Sequence, residues 1–232
     1  MRYIDQMITE QVQTWAQREA ESNVTGEVPG AWPVITISRE FGARGAALAA
    51  VLGAQIGFKV WDKDLLHAIA EESGGDERLL ASLDEHRRKA IDDAMRGALT
   101  GSRHTNTQYF RTLMRVVHTL SAHGKCIIVG RGAHYISKAR GTFRVRVVAP
   151  LEVRVRGYAQ REGLTEKKAR KKIIARDTDR ADFIKHHFKR DGSNPSDYDL
   201  VINAGVYTLE QMAGIVLAAY EAKIGKKLPL AG

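Results

Sequence analysis

The chain has 232 residues, 44% of them hydrophobic, with 36 Lys and Arg against 27 Asp and Glu. That composition fills a sizeable core, which excludes bulk disorder and favours one domain with insertions or an appendage over two full domains. The basic excess is local, since residues Leu151 to Arg190 hold 13 Lys and Arg against six Asp and Glu. A device that meets an anion accounts for this as well as a nucleic-acid face does, and no helix-turn-helix, zinc or aromatic RNA-reading pattern supports the latter.

The single cysteine, Cys126, lies in the apolar run CIIVG and reads as a buried structural thiol rather than a disulfide or metal ligand. No run approaches the roughly 18 apolar residues of a membrane span, and MRYIDQMITEQVQ lacks the apolar segment of a signal peptide. A cytoplasmic protein is expected.

In chain order, Ile4, Ile8, Val12 and Trp15 form one apolar stripe on an N-terminal helix that needs a partner surface, which a homodimer or another protein could supply. The stretch SNVTGEVPGAWP, Ser22 to Pro33, reads as a linker. Residues 1–31 are therefore an N-terminal helix and linker, 32–225 the domain proper, and 226–232 a tail. Five apolar runs follow: VITIS (34–38), FKVW (58–61), CIIVG (126–130), FRVRVVA (143–149) and DLVINA (199–204). Strands separated by helical patterns imply an α/β fold, a parallel sheet covered on both faces. The helix after the first strand carries Leu48, Val51, Leu52 and Ile56, and the last opens on the capping box Thr208 and Gln211. Two segments exceed a minimal crossover. One, 71–123, has room for helices around Leu79–Met95 and Tyr109–Leu120, separated by TGSRHTNT. The other is the basic 153–191. At the carboxyl ends of parallel strands such segments are natural substrate covers.

Strand, glycine-containing loop and helix, VITIS-REFGARG-AALAAVLGAQIG, is the setting in which backbone amides and a helix N-terminus hold phosphate. The G-x-x-x-x-G-K-[ST] pattern is absent, because Gly45 and Ala47 stand where its Lys and hydroxyl would be. Arg39 and Arg44 are the nearby cations able to supply the missing charge.

The motifs ITISREFGARG, VWDKDLL, Asp84 with Glu85, CIIVGRGAHYI, RDTDRADFIKHHF and YDLVINA, in this order, resemble the cytidylate-kinase-like family, relatives of nucleoside monophosphate kinases. The resemblance implies a three-layer fold of the phosphate-loop NTPase type. Its five parallel strands would lie in the order 2-3-1-4-5, with 71–123 as a monophosphate-binding insertion and 153–191 as an Arg-rich lid. It further implies ATP-dependent phosphoryl transfer to a nucleoside monophosphate, CMP or dCMP preferred, with ATP and Mg²⁺ as cofactors. Ser38, Arg39, Gly42, Ala43, Arg44 and Gly45 would hold the ATP phosphates. Arg131 would hold the acceptor phosphate, with Asp62 and Asp177 as further substrate-binding residues. Arg176 and Arg180, four apart on one helical face, would converge on the transferred group. The chain departs from the family at two places. Ala43 and Arg44 replace the loop's Ser and middle Gly, and Gly132 replaces the Asp of a G-R-D. Asp84 and Glu85 could touch the acceptor base or sugar, but read first as a solvated helix pair, and the adjacent His186 and His187 point to different sides of a helix, so no protein-ligated metal is expected. The lost loop Lys and hydroxyl also motivate a second reading, a catalytically weak or inactive nucleotide-binding sensor acting through a partner.

Overall fold

The computed structural model describes residues 2–25, 34–71, 74–99, 108–137, 141–225 and 227. The polar stretch 100–107, residues 26–33 of the expected linker and the tail apart from Lys227 lie outside the described residues, while the first residues of that linker, 22–25, instead continue the N-terminal helix. In chain order the elements are α1 (Arg2–Thr25), β1 (Val34–Arg39), α2 (Gly45–Ile56), β2 (Lys59–Trp61), α3 (Lys63–Glu71), α4 (Gly75–Ala81), α5 (Glu85–Leu99) and α6 (Gln108–His123). They continue with β3 (Cys126–Val129), α7 (Ala133–Ile136), β4 (Thr142–Val148), α8 (Leu151–Glu162), α9 (Glu166–Phe188), β5 (Leu200–Asn203) and α10 (Leu209–Ile224), with a 3-10 turn at Pro195–Asp197 ahead of β5.

All five apolar runs become strands, and they form one parallel sheet in the order β2-β3-β1-β4-β5. β4 and β5 pair in parallel with Val145 opposite Leu200 and Val147 opposite Ile202. The chain divides into two compact units.

The unit comprising Ile35–Val60, Ile127–Tyr135 and Phe143–Gly232 carries most of the sheet. One sheet face buries Ile35, Ile37, Phe143, Val145, Val147 and Ile202 against Leu48, Leu52 and Ile56 of α2 and Met212, Val216 and Tyr220 of α10. Burial of side chains this size contributes about 1.5–3 kcal/mol each. α10 starts at the expected capping box, with Thr208 accepting from the Gln211 amide and the Gln211 side chain from the Thr208 amide. Because strand side chains alternate, the opposite face of β1 and β4 carries Thr36, Ser38, Arg144 and Arg146. Beyond β4, α8 and α9 form a hairpin around Val155, Tyr158, Ala159, Ala169 and Ile173.

The unit comprising Met1–Val34, Trp61–Cys126 and Ile136–Thr142 is mainly helical. The α1 stripe is covered inside this unit. Ile8 and Trp15 are buried, Trp15 stacks on His123 of α6 with ring centroids 3.8 Å apart, and Asp5 pairs with Arg78 of α4 at 2.6 Å. The helix expected over Leu79–Met95 is two helices. The chain turns at Ser82 to Asp84, where Leu83 is buried and Asp84 Oδ1 accepts from the Arg87 amide at 2.9 Å, which starts a new helix.

Candidate active site

The loop from Arg39 to Gly45 leaves β1 at the carboxyl edge of the sheet. Gly42 makes the turn in the left-handed region (φ +85°), and a Cβ there would press on Arg154 Cβ at 3.2 Å. Gly45 opens α2, and no side chain caps this helix, so its first amides keep the capacity to bind an anion. A Cβ on Gly45 would lie 2.7 Å from Arg39 Cβ, and one on Gly130 would collide with Arg39 Nη1. The Arg39 side chain thus runs across the loop between two glycines, and its guanidinium rests over the backbone at the end of β3.

Arg44 does something different from what its position suggests. It adopts the left-handed conformation (φ 61°), and its Nη2 donates to the carbonyls of Ala204 at 2.6 Å and Tyr207 at 2.8 Å. The expectation that Arg44 turns its charge to the loop's phosphates is corrected by this geometry, because two carbonyls beyond β5 already hold the guanidinium. Ala43 is buried.

The basic segment grips the loop through a few groups. Asp177 of α9 accepts the Phe41 amide on Oδ1 at 2.7 Å and Arg154 Nη1 on Oδ2 at 2.5 Å. Arg154, only 8% exposed, also donates to the carbonyls of Ala149 and Phe41 and lies 3.4 Å from Glu40 Oε2. The Phe41 ring packs edge-on against Tyr158 in the α8–α9 core. Arg180 Nη1 donates to the Arg39 carbonyl at 3.2 Å, and its guanidinium lies over the Phe41 ring. Burial pulls the Arg180 pKa below the ordinary value and Asp177 partly restores it, although a guanidinium stays charged throughout the working range. Arg176 is 60% exposed and lies 3.9 Å from Asp179. The expected convergence of Arg176 and Arg180 therefore does not occur, because Arg180 is drawn onto the loop while Arg176 stays in solvent.

Arg131 stands just past β3 in a left-handed conformation (φ 52°), a costly state for a non-glycine residue and one that clusters at functional sites. Its guanidinium lies 5.3 Å from the centroid of the Phe183 ring. Next to it, a Cβ on Gly132 would collide with the Phe188 ring. The carboxylate of a G-R-D has no room here, since an aromatic side chain fills its place. Phe183 and Phe188 start an aromatic wall that continues through Tyr135 and His134 to Tyr198, with successive ring centroids 3.9–6.4 Å apart. At its far end Arg146 lies 5.6 Å from the centroid of the Tyr198 ring. Ser38 Oγ sits between, 3.4 Å from Arg146 Nη1 and 3.3 Å from Tyr198 Oη. Burial holds the His134 imidazole neutral, with its pKa at about 4.

Sequence reasoning missed Glu40, Phe41, Arg146 and Tyr198, and it placed Arg154, with Arg156 and Arg161, among the further cations that could meet polyphosphate. For Arg146 a signal was present, because FRVRVV puts two arginines on one face of a strand in a parallel sheet, where apolar side chains are the rule. Asp62, at the end of β2, caps α3 by accepting the amides of Asp64 and Leu65 on Oδ1 at 3.0 and 2.9 Å. Among the described residues no group of three His, Cys, Asp or Glu is arranged to hold a metal.

Residues 34–206 match the model of the cytidylate kinase-like family. Over 206 residues the chain is 25% identical to the cytidylate kinase of Methanopyrus kandleri, covering 84% of this chain and 97% of that protein. A stretch of 98 residues, 42% of this chain, is 31% identical to part of the uronate isomerase of Corynebacterium glutamicum, and it spans only 19% of that protein. A crystal structure of an uncharacterized protein from Eubacterium ventriosum shares the fold, with a TM-score of 0.59 at 18% identity over 82% of this chain and 99% of that one.

Proposed function

The chain belongs to the cytidylate kinase-like family, and on that premise we propose that it transfers a phosphoryl group from ATP to a nucleoside monophosphate, with CMP or dCMP as the preferred acceptor. The observation that carries the proposal is the loop. It leaves a strand end, turns at Gly42, opens an uncapped helix, and already holds an anionic oxygen, that of Asp177, on the Phe41 amide. Phosphoryl transfer asks a protein mainly for positioning and for positive charge around the transferred group. The loop from Arg39 to Gly45 would hold the ATP phosphates, with the Arg39 guanidinium in place of the missing lysine. Arg131 would hold the acceptor phosphate, and Arg180 would face the transferred group from α9. Mg²⁺, when bound, neutralises phosphate charge, and the nucleotide's own oxygens would carry it, as magnesium commonly retains substrate phosphates as ligands. The hairpin of α8 and α9 over the loop would exclude water from the reacting phosphates.

An ADP-release assay across AMP, CMP, dCMP, GMP and UMP tests the reading. One acceptor should stimulate ADP formation, and Arg131→Ala and Arg180→Ala should each lower the rate by about 10² to 10³ with the fold intact. ATP turnover indifferent to every monophosphate would refute it. One observation favours the second reading, nucleotide binding without turnover: Asp177 already occupies a loop amide that a phosphate oxygen would need. Saturable ATP binding with no product from any acceptor is the outcome that reading expects.

A further inference from the structure

A guanidinium on an interior strand of a parallel sheet costs desolvation and displaces apolar packing, so it persists where something compensates. On β4, Arg144 is compensated at once, since its Nε donates to the His134 carbonyl at 3.2 Å. Arg146 is not. Its contacts are the face of Tyr198 and one long hydrogen bond to Ser38 Oγ at 3.4 Å, and among the described residues no carboxylate lies within 4 Å of it. Hydrogen bonds from Ser193 and, less, the Arg146 charge lower the Asp191 pKa, but the hydrogen bonds of the neighbouring acids go elsewhere. Asp191 accepts the Ser193 amide and hydroxyl at 2.8 and 2.7 Å, and Asp197 accepts the Tyr135 hydroxyl at 2.7 Å. Tyr198 is itself fixed, its hydroxyl donating to the Gly192 carbonyl at 2.7 Å. Arg146 is therefore a positioned cation with most of its donors unspent, resting on a rigid ring.

Its placement separates it from the loop's own phosphate site. Val145 and Val147 face the core under α2 and α10, so Arg146, between them, points from the opposite face of the sheet, as Ser38 does beside Ile37. The amides at the start of α2 belong to the helix packed on the first face. A phosphate on Arg146 belongs to a second phosphate-bearing ligand.

We propose that Arg146, steadied by Tyr198 and Ser38, is a binding residue for the phosphate of the acceptor nucleotide. The proposal rests on the phosphotransfer reading above for the identity of the ligand. A guanidinium suits the role because its planar fork meets two phosphate oxygens at once, and the ring beneath it removes rotational freedom before the ligand arrives.

Calorimetric titration of the full chain with AMP, CMP, dCMP, GMP and UMP, and separately with a non-hydrolysable ATP analogue, tests this. Arg146→Gln should weaken the tightest monophosphate about ten- to a hundredfold, the value of a charge-assisted hydrogen-bond pair, and leave the ATP analogue within about twofold. Arg146→Lys, which keeps the charge and loses the fork, should fall between and serves as the readout if the Gln variant does not fold. Tyr198→Phe keeps the ring and should bind nearly as wild type, while Tyr198→Ala should lose about three- to tenfold. Unchanged monophosphate affinity in Arg146→Gln, equal weakening of both ligands, or a wild type that binds no monophosphate would each overturn the proposal. A wild type that binds a monophosphate through Arg146 yet transfers nothing to it would refute the phosphotransfer reading and leave this one standing. Transfer with an acceptor KM untouched by Arg146→Gln would do the reverse.

Discussion

Two sets of arginines in the sheet-bearing unit are built in opposite ways. In the α8–α9 set, Arg154 spends its donors on the Ala149 and Phe41 carbonyls and on Asp177, and Arg180 spends one on the Arg39 carbonyl. In the wall, Arg131 and Arg146 are set against aromatic rings, and Arg146 keeps donors in reserve. Arg154, saturated by carboxylate and carbonyl oxygens, fixes backbone, whereas Arg146, propped on a ring, keeps charge to present. Counting basic residues along a segment does not distinguish the two, since the density of arginine in 153–191 points away from β4, where Arg146 keeps its donors.

The contrast is most open to breakage at Arg154. Arg154→Ala removes the buried guanidinium that ties Asp177 to the Ala149 and Phe41 carbonyls and leaves only Arg180, 3.8 Å away, beside the carboxylate; it should cost about 3 kcal/mol, read as a drop of roughly 10 °C in melting temperature. A melting temperature within a degree or two of wild type would make the latch a passive contact. Next in size is Gly132→Asp, which restores the acid of a G-R-D. The Phe188 ring stands in its way, so it should destabilise by about 1–3 kcal/mol, and adding Phe188→Ala should recover part of that loss, because the two side chains compete for one space. Equal losses that simply add would contradict the account.

Acid sharpens the wall. His134 has its folded pKa pushed to about 4 by burial, with Arg144 and Arg146 lowering it further against Asp197. The unfolded imidazole takes its proton near pH 6.5, so between about 6.5 and about 4 the unfolded state binds more protons. Stability should fall as pH is lowered through that window. His134→Gln should flatten the unfolding free energy by close to one proton's slope there, and an unchanged slope would remove His134 from the wall's electrostatics. The smallest effect belongs to Arg176→Ala, whose side chain is in solvent. Melting temperature and turnover should both stay near wild type, since such exposed pairs contribute within about 0.5 kcal/mol.

The strands were legible because VITIS, CIIVG and FRVRVVA are apolar runs bounded by turn residues, and the Thr208 capping box because its logic is local. The turn at Ser82 to Asp84 was also written locally, in an N-cap acid, but the apolar spacing through Leu79 and Met95 hid it. Phe41 was not legible as part of the α8–α9 core. Nothing in REFGARG says that an aromatic ring will leave the loop to pack on Tyr158, because that depends on two helices more than a hundred residues later. The direction of Arg44 is of the same kind, since its partners are backbone carbonyls at 204 and 207, invisible to any pattern of side chains. Likewise the stripe on α1 announced a helix in need of cover, and only the fold shows His123 supplying it.

Phosphorus NMR of the full chain with Mg·ATP and each nucleoside monophosphate in turn is the most direct measurement. A nucleoside diphosphate resonance should grow with one acceptor in step with ADP, and it should vanish in Arg131→Ala. Intact ATP with every acceptor, or inorganic phosphate as the sole new signal, would contradict the claim that arginines here perform the phosphate chemistry of a missing lysine.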